Sequence, residues 1–213
     1  MQLYGSRMAP NSDRVELFLA EKGIDVPFVA ISLMTGEQYS EDYRRNIAPN
    51  ARVPALKLDD GHVIRESVAI CRYFEETQPE PPLFGRTPLE KAQVEMWQRL
   101  MELELMLPIA MCFRHGHPGA AAIEKPQIAD WAAVNRERAE KRMRVLDKEL
   151  AGKEYLCGDY FSIADISAFI GIGFGRISKL QPGPELENLH AYIARIAARP
   201  AIAAARERIK AAA

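Results

Sequence analysis

The chain has 213 residues, 48% of them hydrophobic, and its 28 Lys and Arg nearly balance its 29 Asp and Glu. That length allows one large domain or two small ones with real cores, and the balanced charge, with no basic stripe, gives no footing for a nucleic-acid partner. No apolar run approaches the roughly 20 residues that span a bilayer, and the opening Met1-Gln2-Leu3-Tyr4 lacks the charged and apolar regions of a signal peptide, so no membrane partner and a cytoplasmic setting are expected. Cys71, Cys112 and Cys157 are odd in number and far apart. Without a CxxC or a zinc-like spacing they read as buried or half-buried thiols, and no metal is expected.

Residues 2–5 can form a first strand. Asn11-Ser12 offers a cap to a helix whose apolar side is Val15, Leu17, Phe18 and Leu19, and Gly23 sits where a C-cap belongs. Residues 26–31 read as a second strand, and the helical crossover allows it to run parallel to the first. The polar stretch 35–46 has room for a short irregular helix around 41–47. Residues 53–58 read as a strand, Asp59-Asp60-Gly61 as a turn, and His62-Val63-Ile64 as the hairpin partner. Over 66–76 the pattern is helical, with Val68, Ile70, Tyr73 and Phe74 available to pack. The order is β-α-β-α-β-β-α.

The prolines of Gln78-Pro79-Glu80-Pro81-Pro82 interrupt regular structure. Residues 78–87 are therefore read as a linker between an α/β domain over 1–77 and a second domain over 88–213. In the second domain strand signals nearly vanish. Helices are expected over 89–115, 126–150, 162–179, 185–198 and 201–210, which makes it an all-α bundle.

Four segments carry more specific patterns. The first is Asn46-Ile47-Ala48-Pro49-Asn50-Ala51-Arg52-Val53-Pro54-Ala55-Leu56. The second, Arg65-Glu66-Ser67-Val68-Ala69-Ile70, opens a helix. Orphan N–H groups there suit a carboxylate, Ser67 adds a hydroxyl donor, and Glu66 can accept from an ammonium. In the third, Tyr160-Phe161-Ser162-Ile163-Ala164-Asp165-Ile166-Ser167, Ser162 and Asp165 are spaced as a capping box with Asp in place of Glu or Gln, a folding device. The fourth is the ending Arg195-Ile196-Ala197-Ala198-Arg199-Pro200-Ala201-Ile202, with a proline opening a last helix. With the order of elements, these segments resemble the cytosolic glutathione transferase family over nearly the whole chain. Residues 46–56 are similar to the family's N-P-x-G-x-V-P-x-L, with Ala48 and Ala51 as departures. Residues 65–70 are similar to its E-S-x-A-I motif, and residues 160–167 to its S/T-x-A-D element.

The resemblance implies a thioredoxin-like N-terminal domain, glutathione as co-substrate, a small electrophile as second substrate, and a homodimer. It implies a cis Val53-Pro54 bond, with the backbone of Val53 pairing with the cysteinyl backbone of glutathione like an added strand. Glu66 and Ser67 would hold the γ-glutamyl end. Arg52 would bind the glycyl carboxylate, which suits a guanidinium. Gln38, Tyr39 and Arg44 are weaker candidates in the preceding segment. For the second substrate, the family's site draws on the stretch that holds Met101, Met106, Met111, Phe113, Arg114, His115 and His117. Methionines there can adapt to varied apolar ligands.

The thiol must be activated at Ala9-Pro10-Asn11-Ser12-Asp13-Arg14-Val15. Its reference pKa is about 8.5, and a drop of about two units needs roughly 2.7 kcal/mol. One hydrogen bond to a charged group supplies about 1.5–3 kcal/mol, and a helix N-terminus adds about 0.3–1. One neutral donor therefore suffices, without a general base. The serine that several family classes use falls on Ala9, a departure. Neither cysteine nor tyrosine occupies the turn, which disfavours the mixed-disulfide mechanism of omega-like and beta-like classes. Asn11 resembles the asparagine that nu-like and etherase-like members place near the sulfur, and Ser12 is its neighbour. The two are assigned jointly, Asn11 ahead, against the alternative that both only cap the helix. Three functions stay open: a transferase, a glutathione-dependent disulfide reductase or aryl-ether-cleaving enzyme, and a non-catalytic glutathione-binding module, which Ala9 keeps plausible.

Overall fold

The computed structural model describes residues 1–7 and 9–212. In order along the first part lie β1 (Gln2–Gly5), α1 (Pro10–Lys22), β2 (Phe28–Ala30), a 3-10 turn (Glu37–Tyr39), α2 (Glu41–Asn46), β3 (Ala55–Lys57), β4 (Val63–Arg65) and α3 (Ser67–Thr77). The sheet order is β2-β1-β3-β4, with β2 parallel to β1, and with β3 antiparallel to both β1 and β4. This is the expected thioredoxin-like arrangement. Strands are shorter than the sequence suggests: Pro27 and Pro54 stand just before β2 and β3, and a proline has no N–H to give to a ladder.

Pairing register decides where a site can form. Leu3 pairs with Phe28, Tyr4 with Ala55, and Ala55 with Arg65. The final residues of β1, β2 and β4 and the first residue of β3 therefore share one end of the sheet. From that end the chain leaves toward α1, α2 and α3.

Helix α1 starts at Pro10, whose fixed φ and missing N–H suit the first helical position. Its N-cap is Ala9, which makes no side-chain cap bond. The expectation that Asn11 or Ser12 caps this helix is thus corrected; both already lie inside its first turn. Gly23 ends the helix as expected, with φ 66°. Leu3, Val15, Phe18, Leu56 and Ile70 are fully buried on one side of the sheet region, while Ile31, Tyr43, Ile47, Ala48 and Ala55 form a second cluster. Near the end of α1, the Lys22 ammonium is buried against Glu75 of α3 at 2.7 Å. It also donates to the carbonyls of Pro79 and Pro81 at 2.9 and 2.8 Å, so the cation's three donors are matched.

The chain divides into two compact units, Met1–Pro82 with Arg199–Ala213, and Leu83–Ala198. Residues after 87 are expected in the helical domain; the last helix, α9 (Pro200–Ala211), instead groups with the first unit. Arg199 holds Glu21 through two hydrogen bonds of 2.8 and 2.7 Å, and Ile202, Ala205 and Ile209 are buried.

The second unit contains α4 (Pro88–Leu100), a π-helical stretch (Met101–Met106), α5 (Leu107–Gly116), α6 (Ala129–Glu149), α7 (Ile163–Phe174) and α8 (Glu187–Ala197); α9 spans Pro200–Ala211. The single helix expected over 89–115 is interrupted by the π stretch. Pro108 has no N–H for the usual ladder, and just ahead of it the Leu107 N–H reaches back five residues to the Glu102 carbonyl. The capping box at the start of α7 is present. Ser162 donates to Asp165 Oδ2 through its N–H and hydroxyl at 2.8 and 3.0 Å. Leu156 N–H and Tyr192 O–H donate to Oδ1, both at 2.9 Å. Burial pushes the Asp165 carboxyl up, and these four donors pull it back. Among the described residues no helix is long and apolar enough to cross a membrane.

Ser162→Ala should lower unfolding stability by about 0.5–2 kcal/mol, the worth of a cap. Asp165→Ala should cost more, since four buried donors lose their acceptor at about 1–3 kcal/mol for each group left unmatched. Denaturant melts measure both, and Ser162→Ala should bind glutathione as the wild type does. Weakened binding with an unmoved melt would contradict the folding role.

Candidate functional site

The start of α3 is built by an unusual backbone. Glu66, directly after β4, has φ 69° and ψ 118°, outside the regions a glutamate ordinarily adopts. This turn makes Ser67 the first helical residue and leaves Glu66 exposed. Ser67 is buried, and its Oγ accepts a 2.8 Å hydrogen bond from Arg14 Nη1. Arg14 comes from the first half of α1 and is only 2% exposed. Sequence reading missed it. Its spacing was the available signal: Arg14 stands one turn before Phe18, on the side of the helix that must be buried, where a cation needs a partner.

At the entry to β3, the Val53-Pro54 bond is cis, as expected. The Arg52 carbonyl accepts from the Tyr43 hydroxyl at 2.8 Å. Burial pushes the Tyr43 phenol up to about 12, so it remains a neutral donor. The Arg52 side chain is exposed and Val53 is half-buried. Among the described residues, the N–H and C=O of Val53 have no backbone hydrogen-bond partner. Since Ala55 faces Arg65, two residues back and two residues on bring Val53 and Ser67 to the same end of the sheet. Gln38, in the 3-10 turn, is buried, and among the described residues its Oε1 has no hydrogen-bond partner. Tyr39 and Arg44 are exposed.

At the start of α1 the two thiol-donor candidates differ sharply. Ser12 is fully buried, and its Oγ accepts from the Ser6 N–H at 3.1 Å. Gly5 permits this approach: a Cβ there would lie 3.1 Å from that oxygen and 3.0 Å from the Phe28 ring. Asn11 is exposed. Arg7 lies over the Phe28 ring, 4.7 Å from its centre, and faces Glu16 at 3.8 Å. Burial raises the Glu16 carboxyl, while Arg7 and Arg208 lower it.

The four second-substrate candidates of the helical unit point different ways. Met106 lies against α7, where a Cβ on Gly171 would meet its Cγ at 2.6 Å. Phe113 packs edge-on to Phe174 and stacks on His117, with ring centres 5.3 Å apart in each case. Arg114 pairs with Glu124, and the guanidinium holds that carboxyl below its ordinary range. Met111 lines a groove of about 420 Å³ between α5 and α6, with Leu107, Trp131, Arg138 and Arg142 also in its walls.

Known proteins share the sequence and fold along this chain. The family model of the glutathione S-transferase N-terminal domain matches residues 3–82, and that of the C-terminal domain matches residues 100–200. Glutathione S-transferase 2 of Saccharomyces cerevisiae is 37% identical over 207 residues, which is 95% of this chain and 88% of the yeast protein. A solved glutathione S-transferase domain-containing protein of Marinobacter aquaeolei VT8 superposes with a TM-score of 0.90 at 38% identity, over 95% of this chain and 100% of that one. The structure of Gtt2 from Saccharomyces cerevisiae also gives 0.90, at 36% identity, over 96% and 100%. Two domain matches in the right order, and likeness along nearly the whole length of these relatives, mean that the chain belongs to the glutathione S-transferase family.

Proposed function

We propose that this chain is a glutathione transferase that holds the tripeptide along one end of its sheet and stabilises the thiolate at the start of α1. The observation that carries this reading is the shared sheet end of three features: the α3 start at Glu66 and Ser67, the open backbone of Val53, and the exposed Asn11. The γ-glutamyl carboxylate is received by the Ser67 hydroxyl and the first N–H groups of α3, and the ammonium by the Glu66 carboxylate. Val53, ahead of Pro54, pairs with the cysteinyl backbone, and Arg52 and Gln38 take the glycyl carboxylate. The sulfur lies at the positive end of α1 and accepts from Asn11. Ser12, fully buried with its oxygen accepting from the Ser6 N–H, holds the turn in shape and contributes less to the sulfur. The thiolate then attacks an electrophilic carbon, forming a C–S bond as a leaving group departs or a proton is taken up.

No cysteine stands at the active turn; Cys71 and Cys112 are buried in α3 and α5, and Cys157 precedes α7. This supports a glutathione thiolate over a protein thiol as the nucleophile. An apolar electrophile draws on the stretch around α5, where Met106 and Phe113 are half-buried; Met111, in the α5–α6 groove beside Leu107 and Trp131, is less available to it. Arg114, committed to Glu124, has the least to give. A homodimer belongs to the same proposal. Leu103, Leu107, Trp131 and Val134 are 39–51% exposed on the π stretch, α5 and α6, apolar surface that a second copy would cover. Light scattering should give the mass of two chains, and a monomer at micromolar concentration would refute the dimer.

Asn11→Ala should raise the pKa of the bound thiol by about one to two units, the worth of one hydrogen bond to a charged sulfur. Turnover of an aryl halide should fall with it. Ser12→Ala should shift the thiol less and destabilise the fold more. If both variants keep the wild-type thiolate titration by ultraviolet absorbance, the donor assignment fails. Tyr43→Phe should leave the Arg52 carbonyl without its donor, lowering stability by about 0.5–1.5 kcal/mol. Steady-state kinetics should show a higher KM for glutathione with kcat nearly unchanged, because the Arg52–Pro54 backbone binds but does not touch the sulfur.

A further inference from the structure

We propose that Arg14 is a positioning residue for the γ-glutamyl α-carboxylate of glutathione, acting through Ser67 without touching the ligand. The proposal rests on the glutathione reading above and adds a residue to it. A guanidinium stays charged at every relevant pH, and a cation is rarely buried this deeply without specific partners. Arg14 is 2% exposed, and its Nη1 reaches Ser67 Oγ at 2.8 Å across 53 positions of sequence. Arg14 thus brings a fixed positive charge from α1 to the first residue of α3.

The chemistry of the hydroxyl gives this contact a direction. Ser67 has one proton to donate and two lone pairs to accept with. Arg14 occupies one lone pair, so the proton must point away from the guanidinium. Accepting from a cation also polarises the O–H bond and makes it a stronger donor. Meanwhile the backbone of Glu66, at φ 69°, sets the direction in which the Ser67 N–H and the following N–H groups face. Hydroxyl proton, helix N-terminus and buried charge then all favour an anion at one place. The neighbouring exposed carboxylate of Glu66 favours a cation beside it. An α-amino acid end carries that pair of charges on a single carbon, which is what the γ-glutamyl group presents. An arginine kept only for packing would be indifferent to whether the ligand has that carboxylate.

That difference can be measured by calorimetry on the full chain with two ligands. One is glutathione; the other is γ-aminobutyryl-cysteinyl-glycine, which keeps the amine and thiol and lacks only the α-carboxylate. The wild type should prefer glutathione about tenfold to hundredfold, the equivalent of one hydrogen bond to a charged group. Arg14→Gln should erase most of that preference while binding the truncated ligand as the wild type does, and Arg14→Lys should recover part of it. Ser67→Ala should behave like Arg14→Gln, and the double variant should be no worse than either single one. Equal weakening toward both ligands in Arg14→Gln, or an intact preference, would overturn the proposal. Should Arg14→Gln fail to fold, Ser67→Ala and Arg14→Lys decide by the same ratio, and an undiminished preference in Ser67→Ala overturns it. A wild type that binds neither ligand overturns the glutathione reading itself, and the proposal with it.

Discussion

The pairing of Tyr4 with Ala55 and of Ala55 with Arg65 is the constraint on which the rest of the first unit depends. A strand slipped by one residue turns every side chain to the opposite face. Here both faces of the central strands are buried, so neither tolerates the slip. Leu3 and Leu56 pair on one face and are at most 1% exposed, while Ala55 on the other lies in the cluster with Tyr43 and Ile47. The register so pinned brings Val53 and Ser67 to one end of the sheet, at the end of β1 from which the chain enters α1. The proposed site at residues 11, 53 and 67 would thus be a consequence of side-chain burial on β1 and β3, two strands that contribute none of those residues.

Helices α1 and α3 are fastened near both of their ends by cations of α1. Arg14 meets Ser67 at the first position of α3, and Lys22 meets Glu75 in the same helix two turns later. Burying two charges in one small helix is costly, and removing the partner of a buried charge commonly costs about 3–5 kcal/mol. The two contacts differ in what they leave over. At Lys22 the ammonium faces a carboxylate and two carbonyls, an arrangement closed on itself. At Arg14 one partner is the Ser67 hydroxyl, which still has a proton to give. One end of the helix pair therefore holds the fold, and the other can hold a ligand as well.

Much of this was legible from local signals. Gly23, the Asp59-Asp60-Gly61 turn and the alternation of strand and helix patterns give the order of elements, because each acts over a few residues. The capping box is equally local, with Asp165 three positions from Ser162. Contacts over long sequence distances were not legible. Arg14 finds its partner 53 residues away and Arg199 finds Glu21 across 178, and no spacing encodes either. The burial of Ser12 was hidden for a related reason: serine is usually exposed, and only the closeness of Gly5 to the helix shows that its oxygen sits inside, accepting from the Ser6 N–H. The break at the π stretch was hidden in a single residue, Pro108, whose missing donor acts on the turn before it.

Ala9 places no hydroxyl at the N-cap of α1. The geometry of the turn leaves a backbone donor there instead. Ala9 serves as N-cap with φ −90° and ψ 122°, an extended conformation alanine adopts without strain. Pro10 follows with no N–H, so the first backbone donor of the helix belongs to Asn11. That N–H is fixed by the helix itself and needs no side-chain ordering to act on an anion, whereas the exposed Asn11 amide must be immobilised when it does so. Backbone and side chain of one residue would then share the sulfur, the rigid donor setting a floor and the amide adding to it. In the proposed site a helix start with alanine at its N-cap would keep part of its hold on a thiolate, because the part supplied by the backbone does not depend on which side chain stands there.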